Sequence, residues 1–180
     1  MRCPVAEAPV AEQVVLGLGS NLGDRDAHLQ AARTRLQRAT GLDIESVSPI
    51  YESLPLETST PQGPYLNQVL LISTYLAPRR LLDLCLATEV QSGRPRDHAR
   101  GLARTIDIDI IAYGSLVLDH PGLVLPHPRY TERKFVLLPL QSVLPDFTDP
   151  VTGRAIEWLV EACPDASAVK VWSGQEAVPC

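Results

Sequence analysis

The chain lacks several things that would have decided its class early. It has no excess of basic residues: 16 Lys and Arg stand against 21 Asp and Glu, for a net charge of −5 over 180 residues. Bulk binding to nucleic acid or to anionic membrane surfaces usually needs a basic domain, so that balance argues against both while leaving room for a local basic patch. No apolar run approaches the ~18 residues of a membrane span, and the first 13 residues, MRCPVAEAPVAEQ, lack the long apolar core of a signal peptide. Aromatics are few, at 5%. The four cysteines, Cys3, Cys85, Cys163 and Cys180, form no CxxC pair, and they read as free thiols in a reducing, cytoplasmic compartment. There is no GxxxxGK[ST] phosphate loop, no His/Cys set for zinc and no Ser/Cys/His set for nucleophilic catalysis. What is present suits one soluble domain: 45% hydrophobic and 21% charged residues, enough to bury a real core.

Periodicity orders that domain. Residues 1–13 read as a flexible tail and 164–180 as a second one, with a single domain over 14–163. VVLGLG (14–19) is a short buried strand. Asp24 caps a helix whose apolar positions Leu29, Ala32, Leu36 and Ala39 recur at three and four, and Gly41 stops it. Residues 42–51 are extended, with Pro49 marking an edge or bulge. The Pro/Ser/Thr-rich stretch 53–64 is a long loop, 65–76 a strand, and 79–91 a helix opened by Pro78. TIDIDIIA (105–112) alternates as a two-faced strand. Gly114-Ser115 turns into 116–118, an irregular proline-rich stretch follows, and a last helix spans about 154–162. The order β-α-β-β-α-β with a C-terminal extension predicts an α+β, ferredoxin-like sandwich: an antiparallel sheet with helices on one face and the other face free for a site.

Asp107-Ile108-Asp109 is the sharpest chemical signal. Residues i and i+2 of a strand share a face, with α-carbons roughly 6–7 Å apart. Two carboxylates side by side repel unless a cation lies between them, and all-oxygen ligation favours Mg²⁺ or Mn²⁺ over zinc. A solvated polar sheet face is the alternative, although Asp is a poor strand former. Arg94, Arg96, Arg100 and Arg104 lie just before this pair, with Arg129 and Arg133 later, near His127. Arginine forks match phosphate oxygens; a solvated loop paired with acidic surface would read the same way. Metal on one side and guanidinium on the other is what a polyphosphate needs. Gly17-Leu18-Gly19-Ser20-Asn21-Leu22-Gly23 lacks a dinucleotide-binding context and reads as a turn leading into the first helix. Tyr65 and Asn67 share a strand face and, with Phe135, have the chemistry to stack and hydrogen-bond a flat heterocycle, though a buried core tyrosine is the more common explanation.

Taken together and in order, LGLGSNLGDR (16–25), YESLP (51–55), YLNQV (65–69), EVQSGRPR (89–96), RTIDIDI (104–110) and LPHPRYTERKFVLLPL (125–140) resemble the 6-hydroxymethyl-7,8-dihydropterin pyrophosphokinase family of folate biosynthesis. The resemblance covers about residues 14–145. It implies a ferredoxin-like fold, usually monomeric, that transfers pyrophosphate from ATP to the pterin hydroxymethyl group, releases AMP and uses two Mg²⁺ ions. By matching motif it implies Asp107 and Asp109 as metal ligands, with Arg94 and Arg104 beside them at the reacting phosphates. Glu89, Arg94, Arg96, Arg104, His127 and Arg133 would line the ATP side. Tyr65 and Phe135 would sandwich the pterin, with Asn67 and the Ser53, Leu54 and Leu56 segment reading its edge. The loops at 20–24, 53–64 and 94–104 would close as lids. Where many members carry Arg-Trp-Gly-Pro-Arg, this chain has Arg100-Gly101-Leu102-Ala103-Arg104; it also lacks the Gly-x-x-Asp-Gln pattern in 53–64 and has Ser53 in place of a frequent Thr. These departures imply altered affinity or rate with the reaction retained. A metal-dependent phosphodiesterase and a catalytically silent ligand-binding domain are the competing classes. ATP and the pterin are the expected partners, with no nucleic acid and no membrane.

Overall fold

A computed structural model describes residues 10–56, 61–94 and 102–174. Cys3, Cys180, Arg96 and Arg100, parts of the loops expected at 53–64 and 94–104, and most of the N-terminal tail lie outside the described residues.

The elements are β1 (Glu12–Ser20), α1 (Arg25–Gln37), β2 (Leu42–Val47), β3 (Tyr51–Ser53), β4 (Tyr65–Thr74), α2 (Pro78–Gln91), β5 (Asp107–Tyr113), β6 (Leu118–His120), β7 (Leu123–Leu125), α3 (Lys134–Val143), α4 (Ile156–Glu161) and β8 (Val169–Val171). The main sheet runs β5-β1-β4-β3-β8, and β2 pairs with the other end of β4. Every pairing is antiparallel. The expected ferredoxin-like sandwich is therefore present. The stretch expected to be one extended segment over 42–51 is split at Ser48-Pro49. Proline has no N–H for the ladder, so β2 and β3 pair separately with β4. Ser48 bridges the gap: its N–H donates to the Val69 carbonyl and its Oγ accepts from the Val69 N–H.

β4 is buried along most of its length because it has a core on each side. Leu66, Leu70 and Ile72 point to one face, where Leu29, Ala32 and Leu36 of α1, Leu81 and Cys85 of α2, and Ile106, Ile108 and Ile110 complete a core. Val69 and Leu71 point to the other face, against Val136, Leu137 and Leu140 of α3 and Ile156 and Leu159 of α4. Each fully buried leucine contributes roughly 1.5–3 kcal/mol of transfer free energy. Asp24 caps α1 as expected, its carboxylate accepting from the Ala27 N–H at 3.1 Å.

The face opposite α1 and α2 is divided. The C-terminal extension covers one half with α3 and α4 and leaves the other half open. α3 forms despite Pro139 inside it; three buried apolar side chains outweigh the roughly 3 kcal/mol that an interior proline costs. β8 falls within the segment read as a tail and adds an edge to β3, while β1 starts at Glu12, inside the segment read as the first tail. β6 and β7 form a small hairpin where the irregular stretch was expected. Among the described residues, Cys85 and Cys163 are free thiols, and no helix is long and apolar enough to cross a membrane.

Candidate functional site

The open half of the sheet face is assembled by register. Asp107 pairs with Gly19, and Gly19 with Asn67; Asp109 pairs with Gly17, and Gly17 with Val69. Two carboxylates, two bare glycines and a carboxamide thus lie in adjacent rows across three strands. β3 extends the row, with Tyr51 opposite Asn67 and Ser53 opposite Tyr65. Gly17 and Gly19 lie inside β1, as the strand expected over 14–19 requires, so the turn read across the whole 17–23 segment is confined to its end. Only Gly23, with φ of 66°, serves the turn. Gly17 and Gly19 form the floor: a Cβ on Gly17 would meet Ile111 Cδ1 at 3.1 Å, and one on Gly19 would stand 3.6 Å from Asn67 Oδ1.

A cleft opens above this floor. Its walls include Ser53, Leu54, Leu56, Tyr65, Asn67, Arg104, Asp107, Asp109, Arg133 and Phe135. The sequence reading names all ten. Gly17, Gly19, Gln68, Arg129 and Val136 also line it and carry no site role in that reading, whereas Ile111 lines it on the aspartate face that strand alternation predicts. The signal for those five lay only in strand register, except for Arg129, which was noted as a nearby charge.

The pterin-type residues meet at one end. Asn67 Nδ2 donates to Ser53 Oγ at 3.0 Å, which aims the carboxamide. The Arg133 guanidinium carbon lies 5.9 Å from the Phe135 ring centroid, so a phosphate-type cation and a stacking ring sit side by side. Burial raises the Tyr65 hydroxyl above its ordinary value, with Arg104 opposing.

The charged residues meet at the other end. Asp107 accepts from both Arg94 and Arg104, the latter at 2.6 Å. Arg94 also reaches Glu89 at 2.8 Å. Burial works against the Arg94 cation, and Asp107 and Glu89 outweigh it, holding its pKa above the usual value. Burial, then the Asp107 charge beside it, push the Asp109 carboxyl up; Arg133, Arg104 and Arg94 oppose. A cation between the two carboxylates would relieve that repulsion.

Glu89 and His127 do not line the cleft. Glu89 is buried, and its Oε1 accepts from the Ile108 N–H at 2.7 Å, tying α2 to the strand between the two aspartates. Burial pushes its carboxyl up to about 7, with the Ile108 N–H and Arg94 opposing. A raised folded pKa gives stability that is complete below the unfolded value near 4.5 and is lost as pH rises through about 7. Glu89→Gln keeps the acceptor and cannot ionise. In metal-free protein we expect the unfolding free energy of the wild type to fall relative to Glu89→Gln between those pH values, by on the order of 3 kcal/mol; parallel pH curves would refute it. His127 is held down to about 4 by burial and by Arg133. Its Nδ1 accepts from the Arg129 N–H at 3.1 Å, so the neutral ring carries its proton on Nε2 and offers one donor.

Asn21, which the sequence reading leaves in a turn, clasps the surrounding loops. Its Oδ1 accepts from the Arg104 N–H at 2.8 Å and its Nδ2 donates to Gln62 Oε1 at 2.8 Å. The Arg104 carbonyl in turn accepts from the Asn21 N–H. All three expected lid loops therefore meet at one buried side chain. Arg96 lies outside the described residues.

No three His, Cys, Asp or Glu side chains converge among the described residues as a complete protein cage would require. The donor set still fits one class of ion. Mg²⁺ is commonly held by one or two carboxylates, with substrate phosphates and water filling the other positions.

The family model for 7,8-dihydro-6-hydroxymethylpterin-pyrophosphokinase matches residues 15–145. The 2-amino-4-hydroxy-6-hydroxymethyldihydropteridine pyrophosphokinase of Pseudomonas aeruginosa is 40% identical over 153 residues, covering 85% of this chain and 93% of its own. That of Synechocystis is 37% identical over 169 residues, covering 92% and 85%. Solved HPPK-DHPS chains share the fold. One determined in complex with substrates aligns with a TM-score of 0.67 at 13% identity, over 86% of this chain and 43% of that one. The Plasmodium falciparum wild-type protein with pteroate aligns with a TM-score of 0.67 at 14% identity, over 87% and 45%. The chain thus spans less than half the length of those solved chains.

Proposed function

The chain belongs to the 7,8-dihydro-6-hydroxymethylpterin-pyrophosphokinase family, and from that premise we propose how its cleft performs the family's reaction. The enzyme transfers pyrophosphate from ATP to the hydroxymethyl group of 6-hydroxymethyl-7,8-dihydropterin in folate biosynthesis. These relatives lend no support to a phosphodiesterase or a silent binding domain.

One observation carries the residue assignment: Asp107, Asp109, Arg104, Arg133, Tyr65 and Phe135 line one cleft on the sheet face. Tyr65 and Phe135 stack the pterin ring, and Asn67, aimed by Ser53, reads its edge beside Leu54 and Leu56. That leaves the hydroxymethyl group pointing along the floor toward Asp107 and Asp109. The bare backbone of Gly17 and Gly19 lets substrate atoms approach the strand. Arg94, Arg96, Arg104 and Arg133 neutralise the ATP phosphates, and His127 donates from Nε2. Glu89 holds Ile108, and with it the spacing of both aspartates. Asp107 and Asp109 hold Mg²⁺, two ions as the family resemblance implies, which supply charge neutralisation and alignment at the phosphorus when bound. The residues themselves orient the hydroxyl, exclude water and offset charge; no covalent intermediate is needed. The protein acts as a cytoplasmic monomer, and its catalytic domain takes in β1 and β8 beyond the 14–163 read from the sequence.

The test is AMP release from Mg-ATP. We expect release that depends on the pterin and stops with EDTA. In Phe135→Ala the KM for the pterin rises about 10- to 100-fold, the range of one lost stacking contact, and ATP affinity holds within a few fold. AMP release without pterin, or an unchanged pterin KM, would overturn the assignment.

A further inference from the structure

We propose that Asp165, in the segment after α4, is a positioning residue for both substrates. α3 begins at Lys134, and the residue before it, Arg133, is extended and supplies no side-chain cap. The first N–H groups of a helix need an acceptor from elsewhere. Here it comes from 31 residues downstream: the Asp165 carboxylate accepts from the Lys134 N–H at 3.1 Å. Its second oxygen accepts from the Ser167 N–H at 2.9 Å. The side chain is buried, with 8% of the residue exposed. A carboxylate at this end of α3 also faces the positive pole of the helix.

The position gives the cap its consequence. Lys134 lies between Arg133 and Phe135, which line the cleft on its phosphate and pterin sides. Their side chains project from the two residues flanking the capped amide. Without the cap the first turn of α3 loses an anchor, and the guanidinium and the ring lose their fixed relation. Asp165 itself does not line the cleft. Its effect passes through backbone.

This inference rests on the assignment of Arg133 and Phe135 to the substrates, so the test carries Phe135→Ala alongside. In Asp165→Ala we expect the KM values for pterin and ATP to rise about 5- to 20-fold, kcat to change less than threefold, and amide exchange at Lys134 to accelerate at least tenfold. Asp165→Asn keeps one oxygen and is expected to restore both KM values to within threefold of wild type, and it serves if the alanine variant does not fold. Leu36→Ala, buried in the core on the far side of the sheet, loses stability and is expected to keep both KM values. Unchanged KM values in Asp165→Ala, an equal rise in Leu36→Ala, or an Asp165→Asn variant no better than alanine would overturn the role of Asp165. An unchanged pterin KM in Phe135→Ala would overturn the site assignment and this inference with it.

Discussion

Replacing Asp109 by Asn is expected to lower kcat for pterin-dependent AMP release by a factor of 10³ or more while leaving the metal-free protein as stable as wild type or more so. The two halves have one cause. Asp109 is largely enclosed, faces a second carboxylate, and is held above the usual carboxylate range by burial and by Asp107. With a raised folded pKa, its contribution to stability is complete at low pH and is lost as pH rises above the unfolded value. At neutral pH the wild type therefore carries an enclosed, repelled charge, and the amide does not. A gain of about 1–2 kcal/mol, or a few degrees in melting temperature, is expected without metal. The same charge would hold a cation, and that cation would offset the charge developing on the phosphates, so the amide loses rate. Pterin affinity should hold within a few fold, because Tyr65, Asn67 and Phe135 are untouched. A rate within tenfold of wild type would remove Asp109 from the reaction. A large loss of stability would mean that the carboxylate is structural.

The largest stability effect is expected at Asp149. This buried carboxylate accepts from the Tyr130 hydroxyl at 2.7 Å, from the Thr152 N–H at 3.0 Å and Thr152 Oγ1 at 2.5 Å, and from the Val151 N–H at 3.3 Å. It joins the segment carrying Arg129 and Arg133 to the turn before α4. Asp149→Ala strands the buried Tyr130 hydroxyl and opens the turn. A loss of about 3 kcal/mol is expected, or roughly 6–12 °C in melting temperature for a chain this size. Tyr130→Phe removes only the hydroxyl and should cost about 1 kcal/mol. The effect has a pH signature. Burial alone would raise the Asp149 carboxyl, but the bonds from Thr152, Tyr130 and the Val151 amide outweigh it and hold it below its ordinary value. The stability is therefore present above about pH 4 and is lost as pH falls further. Melting curves of wild type and Asp149→Ala should converge toward acid. Curves that stay equally separated would assign the effect to packing alone.

Elements with a strong local period were legible in the sequence. The alternation of Ile106, Ile108 and Ile110 with Asp107 and Asp109 yields both the strand and its two faces, and α1 follows from Leu29, Ala32, Leu36 and the Asp24 cap. α3 was not legible, because FVLLPLQSV is apolar on most sides and has a proline within it; tertiary burial, not local preference, makes it helical. β8 is three residues long, too short to show a period. The polar wall of the cleft was legible by residue type, and the identity of the substrates came from the family resemblance. The floor was not, because Gly17 and Gly19 acquire meaning only from their partners Asp109 and Asp107 across the ladder. Asn21 with Arg104, and Asp165 with Lys134, are likewise contacts between distant parts of the chain, and no spacing rule encodes them.

The two guanidinium groups resting on Asp107 bear on which anions the enzyme ignores. Unengaged arginines at the mouth of a cleft would attract any passing polyanion. Here each must first leave a carboxylate, and whatever draws it away has to leave that carboxylate satisfied too. Inorganic phosphate or a stretch of nucleic-acid backbone offers a new partner to the arginines and nothing to the aspartate. A phosphate chain that arrives with its own cation offers both. The pairing thus works as discrimination by exchange, admitting ligands that bring both signs of charge.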